Sequence, residues 1–301
     1  MRFQGLDLNL LVAFDTLAEH RSVSLAAEAM HLSQSAMSAA LARLRAYFDD
    51  ELLVPRGRTL VLTPRAEQLA PEVRDTLLRI HATIAHPAAF DPIETKREFT
   101  IVASDYVQAV LLEPFMRKAA HHAPGMRFRI LPISQQGIDE FKRGVIDLII
   151  VADSVILPEH PSQKLFEDEA KLICSADHPT IGDEISMEQF GTVGHVTTSL
   201  HHHRPGSLFD LMLLERSIAR RIEIQVPAFS MMAGAVVGTE RVAILHARLA
   251  TSYARILPIK LLSLPFALPP IREVIQWHAL RQRDRGLQWL LEALTSEAAA
   301  L

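Results

Sequence analysis

The chain has 301 residues, enough for two or three compact units with cores of their own, and at 49% apolar and 22% charged it argues against disorder and fibrous architectures. Its formal charge of −4 excludes a protein that coats nucleic acid by bulk electrostatics, so any contact with a polyanion must be local. No run approaches the ~18 consecutive apolar residues of a spanning helix, and the first residues lack a basic-then-apolar leader, so a cytoplasmic protein without membrane contact is expected. The single Cys174 lies between Ile173 and Ser175 in an apolar run and reads as a buried structural thiol in a reducing compartment.

Leu6, Leu10, Phe14 and Leu17 recur at helical spacing behind Asp7, a candidate cap, and predict a first helix that ends near His20-Arg21-Ser22. A shorter helix is expected from about Ser24 as N-cap through Met30, with alanines that permit close helix contact. Ser33 then caps a third helix, Gln34 to about Phe48, whose buried stripe is Met37, Ala40, Leu41, Leu44 and Phe48. The opposite side carries Gln34, Ser35, Ser38 and Ala42. These side chains are short enough for the N-terminal half of the helix to enter a DNA major groove about 12 Å wide, with Arg43 and Arg45 beside the phosphates.

Two short strands, Glu51 to Val54 and Leu60 to Leu62, flank the turn Pro55-Arg56-Gly57-Arg58-Thr59, a hairpin with two arginines at its tip. Such a wing suits a narrow minor groove. Thr63-Pro64 opens a long helix, in which Leu69, Val73, Leu77, Ile80 and Ile84 form a seam for packing along a second helix, expected from another copy of the chain. Pro71 is expected to kink or restart it.

Beyond a loose connection, buried strands at Phe99 to Ala103, Met126 to Ile133 and Leu148 to Val151 alternate with helices at Val107 to about His122 and Gly137 to Arg143, which predicts a mainly parallel sheet flanked by helices. A second α/β unit runs from about Gln163 to Lys260, with strands at Lys171 to Ser175, His195 to Thr198, Ile222 to Val226 and Val242 to Leu245. A strand near Glu273 to Ala279 and a helix holding Leu287, Leu290, Leu291 and Leu294 close the chain.

Ligands of open α/β sheets settle beyond the carboxyl ends of strands. Ser104, Asp105, Tyr106, Ser134, Gln135, Asp153, Thr197, Thr198 and Phe229 occupy such positions, and their mix of small polar groups and aromatics suits a carboxylated or phenolic aromatic effector. Each residue alone reads more readily as a helix cap or turn than as a ligand contact, and taken together some of them are expected to touch ligand. The histidines His201, His202 and His203, with His195 nearby, lack the spacing that turns imidazoles toward one ion, so no metal is expected. Cofactor and catalytic motifs are missing too: there is no phosphate-cradling glycine loop and no nucleophile elbow, and Asp105 with Asp153 is the one acid pair that the fold could bring together. His121-His122 reads as surface, and Met231-Met232 as core.

Ser22-Val23-Ser24-x-Ala26-Ala27, Leu32-Ser33-Gln34-Ser35-Ala36-Met37-Ser38, Leu41-x-x-Leu44 and the Thr63-Pro64 step resemble the helix-turn-helix and linker of LysR-type transcription regulators. Phe90-Asp91-Pro92, Gly194-His195-Val196, Glu240-Arg241-Val242-Ala243 and Trp277-His278 are similar to the branch that holds nodulation-gene activators and salicylate-responsive naphthalene regulators. Ser35 stands where the family usually has proline, Pro55 precedes Arg56 where a phenylalanine-arginine pairing is common, and Arg65-Ala66-Glu67 replaces a small-residue turn. These departures bear on which DNA sequence is read.

The resemblance implies a winged helix-turn-helix over residues 1–63, a dimerising linker helix over 64–90 and an effector-binding domain over 91–301. The last would resemble periplasmic binding proteins, with one α/β subdomain at about 97–160 and 266–301, a second at about 161–265, and a cleft between them. It further implies a homodimer or homotetramer on a pseudo-palindromic double-stranded promoter site, with RNA polymerase access set by a small aromatic effector. Gln34 would read a base edge, Ser33, Ser38 and Arg43 would hold phosphates, and Arg56 with Arg58 would serve the wing. The rival reading is a cytoplasmic small-molecule binder whose N-terminal helices mediate assembly only.

Overall fold

The computed structural model describes residues 2–3, 6–57, 59–84, 90–198 and 207–301. The chain forms two units, Met1–Pro87 and Ala88–Leu301.

In the first unit a small antiparallel pair, β1 (Arg2–Phe3) and β2 (Leu6–Asp7), precedes α1 (Leu8–His20), whose cap Asp7 accepts from the Asn9 amide. α2 (Val23–Ala29) starts earlier than expected, because the Oγ of Ser22 rather than that of Ser24 accepts from the Leu25 amide and so sets the first turn. α3 (Gln34–Phe48) is capped by Ser33 and buries Met37, Leu41 and Leu44 against Phe14 and Leu17 of α1. The hairpin of β3 (Leu53–Arg56) and β4 (Thr59–Leu62) takes Pro55 and Arg56 into the strand, so the turn is tighter than expected, and Gly57 supplies its positive φ of 64°.

α4 (Pro64–Ile84) runs through Pro71 as one helix instead of restarting there. Ala66, Ala70 and Val73 are buried in the core of this unit on both sides of the proline, and the Arg74–Asp15 ion pair at 2.7 Å adds a tie to α1. This packing offsets the lost N–H. Leu69 and Leu77 also lean on that core, so part of the expected intermolecular seam is used within the chain.

In the second unit, β5 (Glu98–Val102) leads into a helical run made of α5 (Asp105–Val107), a π-helical turn at Gln108–Leu112 and α6 (Glu113–His122). Then come β6 (Arg127–Leu131), α7 (Gln135–Lys142), β7 (Leu148–Ala152) and β8 (Ser162–Asp168). The chain continues as β9 (Ala170–Ser175), α8 (Met187–Thr192), β10 (Gly194–Thr198), α9 (Leu208–Glu215), β11 (Arg221–Val226), α10 (Ser230–Val236), β12 (Arg241–His246), α11 (Ala247–Ala254) and β13 (Ile259–Leu262). It ends with β14 (Ile271–Trp277) and α12 (Arg285–Ala298).

Two five-stranded sheets result, ordered β6-β5-β7-β14-β8 and β11-β10-β12-β9-β13. Each is parallel through its first three strands and antiparallel through the last two, so the sheets are mixed where mainly parallel ones were expected. In each sheet the fourth strand, β14 or β9, runs against the other four, and each begins where the chain has passed between sheets, from β13 to β14 and from β8 to β9. β8 hydrogen-bonds to β14, so the segment from Gln163 to Asp168 belongs to the first sheet and not to the second unit that began there by sequence. One continuous core joins the sheets, with Phe99, Ile101 and Leu111 from one side meeting Ile173, Val196 and Ala243 from the other. Separate clusters cover the outer faces, around Phe141 and Ile149 in the first sheet and around Phe190 and Phe209 in the second.

Asp147 fastens the base of the first sheet. It is 6% exposed; one oxygen accepts from the Thr100 amide at 2.8 Å and the other from Arg97 at 3.1 Å and Arg281 at 2.5 Å. Arg97 also donates to Asp284 at 2.6 Å, the N-cap of α12, which ties both ends of this unit together. Removing one partner of a buried pair leaves the other charge uncompensated. Asp147→Ala is expected to cost about 3 kcal/mol, read as a lower urea midpoint for the second unit; an unchanged midpoint would contradict this role.

Candidate nucleic-acid interface and effector cleft

On α3 the buried stripe turns Ser33, Gln34, Ser35, Ser38, Ala42 and Arg43 outward, and all six are exposed. Ser33 is also occupied locally: its Oγ accepts from the Ala36 amide at 3.2 Å and lies 2.9 Å from that of Ser35. Arg56 is exposed at the end of β3, while Arg58 lies outside the described residues.

Arg45 departs from expectation. Its guanidinium donates to the carbonyls of Glu51 at 2.8 Å and Leu53 at 2.9 Å and pairs with the Glu51 carboxylate at 3.1 Å. It therefore fastens α3 to the first strand of the wing and is not held ready for phosphate. Asp50 makes the complementary joint, accepting from the Leu52 amide at 2.7 Å and the Thr63 hydroxyl at 2.6 Å. Those hydrogen bonds, Thr63 first, hold its carboxyl below the usual range. Asp49 and Leu52, at φ of 50° and 59°, turn the chain sharply between helix and wing.

In the second unit, several expected effector residues converge where the two sheets meet. Asp105 reaches across to the start of α10, accepting from the amides of Phe229 at 3.2 Å and Ser230 at 2.6 Å. Tyr106 is fully buried; its hydroxyl donates to Asp168 at 2.6 Å and its ring stacks on His246 at 3.6 Å between centroids and 9° between planes. Phe229, 4% exposed, packs edge-on against both rings, and Phe209 lies 4.9 Å from His246. Thr198 is buried at the end of β10 and its Oγ1 has no partner among the described residues, and neither has Nδ1 of His246. Burial pushes His246 down to about 3, so its imidazole is neutral.

The remaining expected positions serve the scaffold. Ser104 caps α5 through the Val107 amide and Ser134 caps α7 through that of Gly137. Gln135 is exposed and donates to Asp139, and Asp153 is exposed opposite Arg272 at 3.7 Å. Asp105 and Asp153 thus have separate partners and separate tasks. Thr197 donates to Asp210 at 2.6 Å, and Asp210 pairs with the buried Arg220. Cys174 is buried, and burial pushes its thiol up, as a structural role requires. His195 is buried against the Phe190 carbonyl at 2.7 Å, burial taking it down to about 4. His201, His202 and His203 lie outside the described residues, and no cluster of three or more metal-ligating side chains occurs among the described ones.

Residues 8–67 match the bacterial regulatory helix-turn-helix protein, lysR family, and residues 93–299 match the LysR substrate binding domain. The chain belongs to the LysR family of transcription regulators. Nodulation protein D 2 of Sinorhizobium fredii is 39% identical over 99% of this chain and 96% of its own length, and nodulation protein D 1 of Rhizobium tropici 40% identical over 100% and 98%. A probable transcriptional regulator of Pseudomonas aeruginosa has a similar structure, with a TM-score of 0.64, 28% identity and 97% of each chain covered. This LysR regulator is accordingly a DNA-binding protein with an effector-binding domain, and not an enzyme. No helix among the described residues is long and apolar enough to cross a membrane.

Sequence reasoning missed the polar groups at the meeting of the sheets of this LysR regulator: His246, Asp168 and Glu273. The signal was present, since His246 is a polar residue ending the apolar strand Val242-Ala243-Ile244-Leu245, where ligands of α/β sheets gather. Glu273 is 5% exposed and one of its oxygens has no partner among the described residues. A register shift between β14 and β8 at Glu273/Val274 locally re-aims these side chains.

Burial, then Asp168 and Asp153, lifts Glu273 from 4.5 to about 8. The folded state therefore holds a proton that the unfolded chain has released, and stability must fall as pH rises through that window. His195 and His246, both pushed down by burial, are already neutral in the folded state across this range, and the variant isolates the effect of Glu273. The second unit is expected to lose about 1 kcal/mol between pH 7 and 8, and Glu273→Gln to abolish that slope. Urea denaturation at the two pH values measures it; an identical slope in the variant would assign the proton elsewhere.

Proposed function

We propose that the protein is a cytoplasmic promoter-binding regulator in which a small aromatic effector, seated where the two sheets meet, alters how the N-terminal units hold DNA and admit RNA polymerase. Residues 1–63 would bind DNA, the linker over 64–90 would dimerise, and residues 91–301 would receive the effector. The observation that carries the reading is the division of α3 into a stripe sunk in the core and a short polar face left open beside an arginine-bearing wing.

Gln34 is assigned to a base edge, with Ser33, Ser35, Ser38 and Arg43 along the backbone and Arg56 and Arg58 at the wing. Arg45 is assigned first to the joint between α3 and the wing, which engages its Nε and one terminal nitrogen. A base-reading contact is worth about 1 to 3 kcal/mol, so Gln34→Ala with Arg56→Ala should weaken promoter binding at least tenfold. Arg45→Ala should instead lower the melting temperature of the first unit. Gel-shift titration with thermal unfolding separates the two, and full promoter affinity in the double variant would sink the assignment.

For the effector, the buried Tyr106–His246 stack offers an aromatic surface, and Thr198 and His246 hold polar atoms without partners among the described residues. Arg220 is paired with Asp210, Arg248 donates to the carbonyls of Leu301 and Glu167, and two acids, Asp168 and Glu273, stand close by. With those guanidiniums already engaged by acceptors of the chain, a phenolic ring is favoured over a carboxylated one. Two-fold association through α4, extended to a tetramer by the effector domains, would place paired recognition helices on a pseudo-palindrome. The effector would act by preferring one arrangement of that assembly. In thermal-shift titrations salicylamide should stabilise the second unit more than salicylate does, and His246→Phe should remove the response. Equal stabilisation by both compounds, or an undiminished response in the variant, would count against the site.

A further inference from the structure

The parallel strands of the second sheet have two ends, and the effector reading uses the carboxyl ends only. At the amino ends of β10, β11 and β12 lies a separate open cavity of about 340 Å³, walled on one side by Ile181 and Val193. Its charged wall holds Arg221, Arg241, Glu240 and Glu223, and Glu223, between the arginines, is placed there by a fault in the sheet. In the pairing of β10 with β11, His195 faces Ile222 and Val196 faces Ile224, so Glu223 is the extra residue of a bulge on an edge strand. Bulges of this kind re-aim a side chain.

The Glu223 carboxylate comes to rest over Gly194, where a Cβ would sit 2.4 Å from its carboxyl carbon. One of its oxygens meets Arg221 at 3.0 Å and the other meets Nε of Arg241 at 2.7 Å. Arg221 is further anchored by donating to the Thr192 carbonyl at 3.1 Å. Two guanidiniums are thus fixed on either side of one carboxylate with further N–H groups to offer, and forks held this way match a two-oxygen anion.

We propose that this cavity is a second small-molecule site, which takes a small oxyanion, carboxylate or phosphate, between Arg221 and Arg241, with Glu223 as the internal carboxylate that competes for the same donors. The site stands apart from the aromatic effector cleft and does not depend on it. Binding to the wild-type chain is weak because the ligand must displace Glu223. Glu223→Gln keeps the shape, removes the competing charge and tightens binding.

Calorimetric titration of the full chain with inorganic phosphate and with succinate, at ionic strength matched with sodium chloride, tests this. Glu223→Gln should bind at least one of the two anions about tenfold more tightly than wild type, and Arg241→Gln should lose that binding while its circular dichroism stays unchanged. Arg221→Gln serves the same purpose should the Arg241 variant misfold. A preference for phosphate identifies a phosphorylated ligand and a preference for succinate a carboxylic acid. No tightening in Glu223→Gln, or equal binding after loss of either arginine, overturns the proposal.

Discussion

Where the chain leaves the first sheet of the effector-binding unit, Asp168 collects hydrogen bonds from three directions. The Tyr106 hydroxyl at 2.6 Å comes from the first sheet's leading helix, the Arg248 amide at 3.2 Å from α11 behind the second sheet, and the Glu169 amide at 2.8 Å from the passage itself. A two-sheet module has to send its chain between the halves, and each passage brings polar backbone into an apolar junction. Asp168 meets that requirement at one of them. Because burial raises its own proton affinity and that of Glu273 nearby, the junction carries less negative charge than its composition suggests, which is what a low-dielectric setting demands. The stack of Tyr106 on His246 follows from the same bond, since the hydroxyl fixes the ring that the imidazole covers.

The DNA-binding unit divides its charges in a comparable way. Arg45, Asp50 and Glu51 are spent on geometry: they hold the end of α3, the base of the wing and the start of α4 in one arrangement. Arg43 and Arg56 are left exposed. Arg43, Arg45 and Arg56 thus separate into one cation that shapes the unit and two that face outward, and only the fold tells them apart. That division also explains how a chain of net charge −4 can present a local positive surface.

Periodicity and caps made much of the architecture legible. The stripe Met37, Leu41, Leu44 announced α3, Ser33 and Asp7 capped the helices they were expected to cap, and the apolar runs at 148–152, 171–175 and 242–245 were strands. What escaped was set by tertiary neighbours. β8 reads Ser-Gln-Lys-Leu-Phe-Glu-Asp, too polar to look like a strand, and is held because β14 lies beside it and Phe166 anchors it in the core. Pro71 looked like a helix breaker until Ala66, Ala70 and Val73 were seen to pin the helix on either side. In the candidate cleft, the placement of Asp105 and Tyr106 after β5 and of Thr198 at the end of β10 follows the strand-end rule, but the partners of Tyr106 were not legible. Asp168 and His246 lie 62 and 140 residues further along the chain.

The junction between the sheets is closed over by aromatic rings, yet it is not satisfied. Thr198 and His246 hold buried polar atoms with no partner among the described residues, and leaving such an atom unpaired costs about 1 to 3 kcal/mol. A purely structural core would have replaced them with apolar groups of the same shape, which is close to neutral in stability. Both lie at the carboxyl ends of parallel strands, β10 and β12, where ligands of α/β sheets gather. Any molecule that supplies those partners stabilises the arrangement it fits and no other, which is the condition for a bound effector to shift one state of a regulator against another.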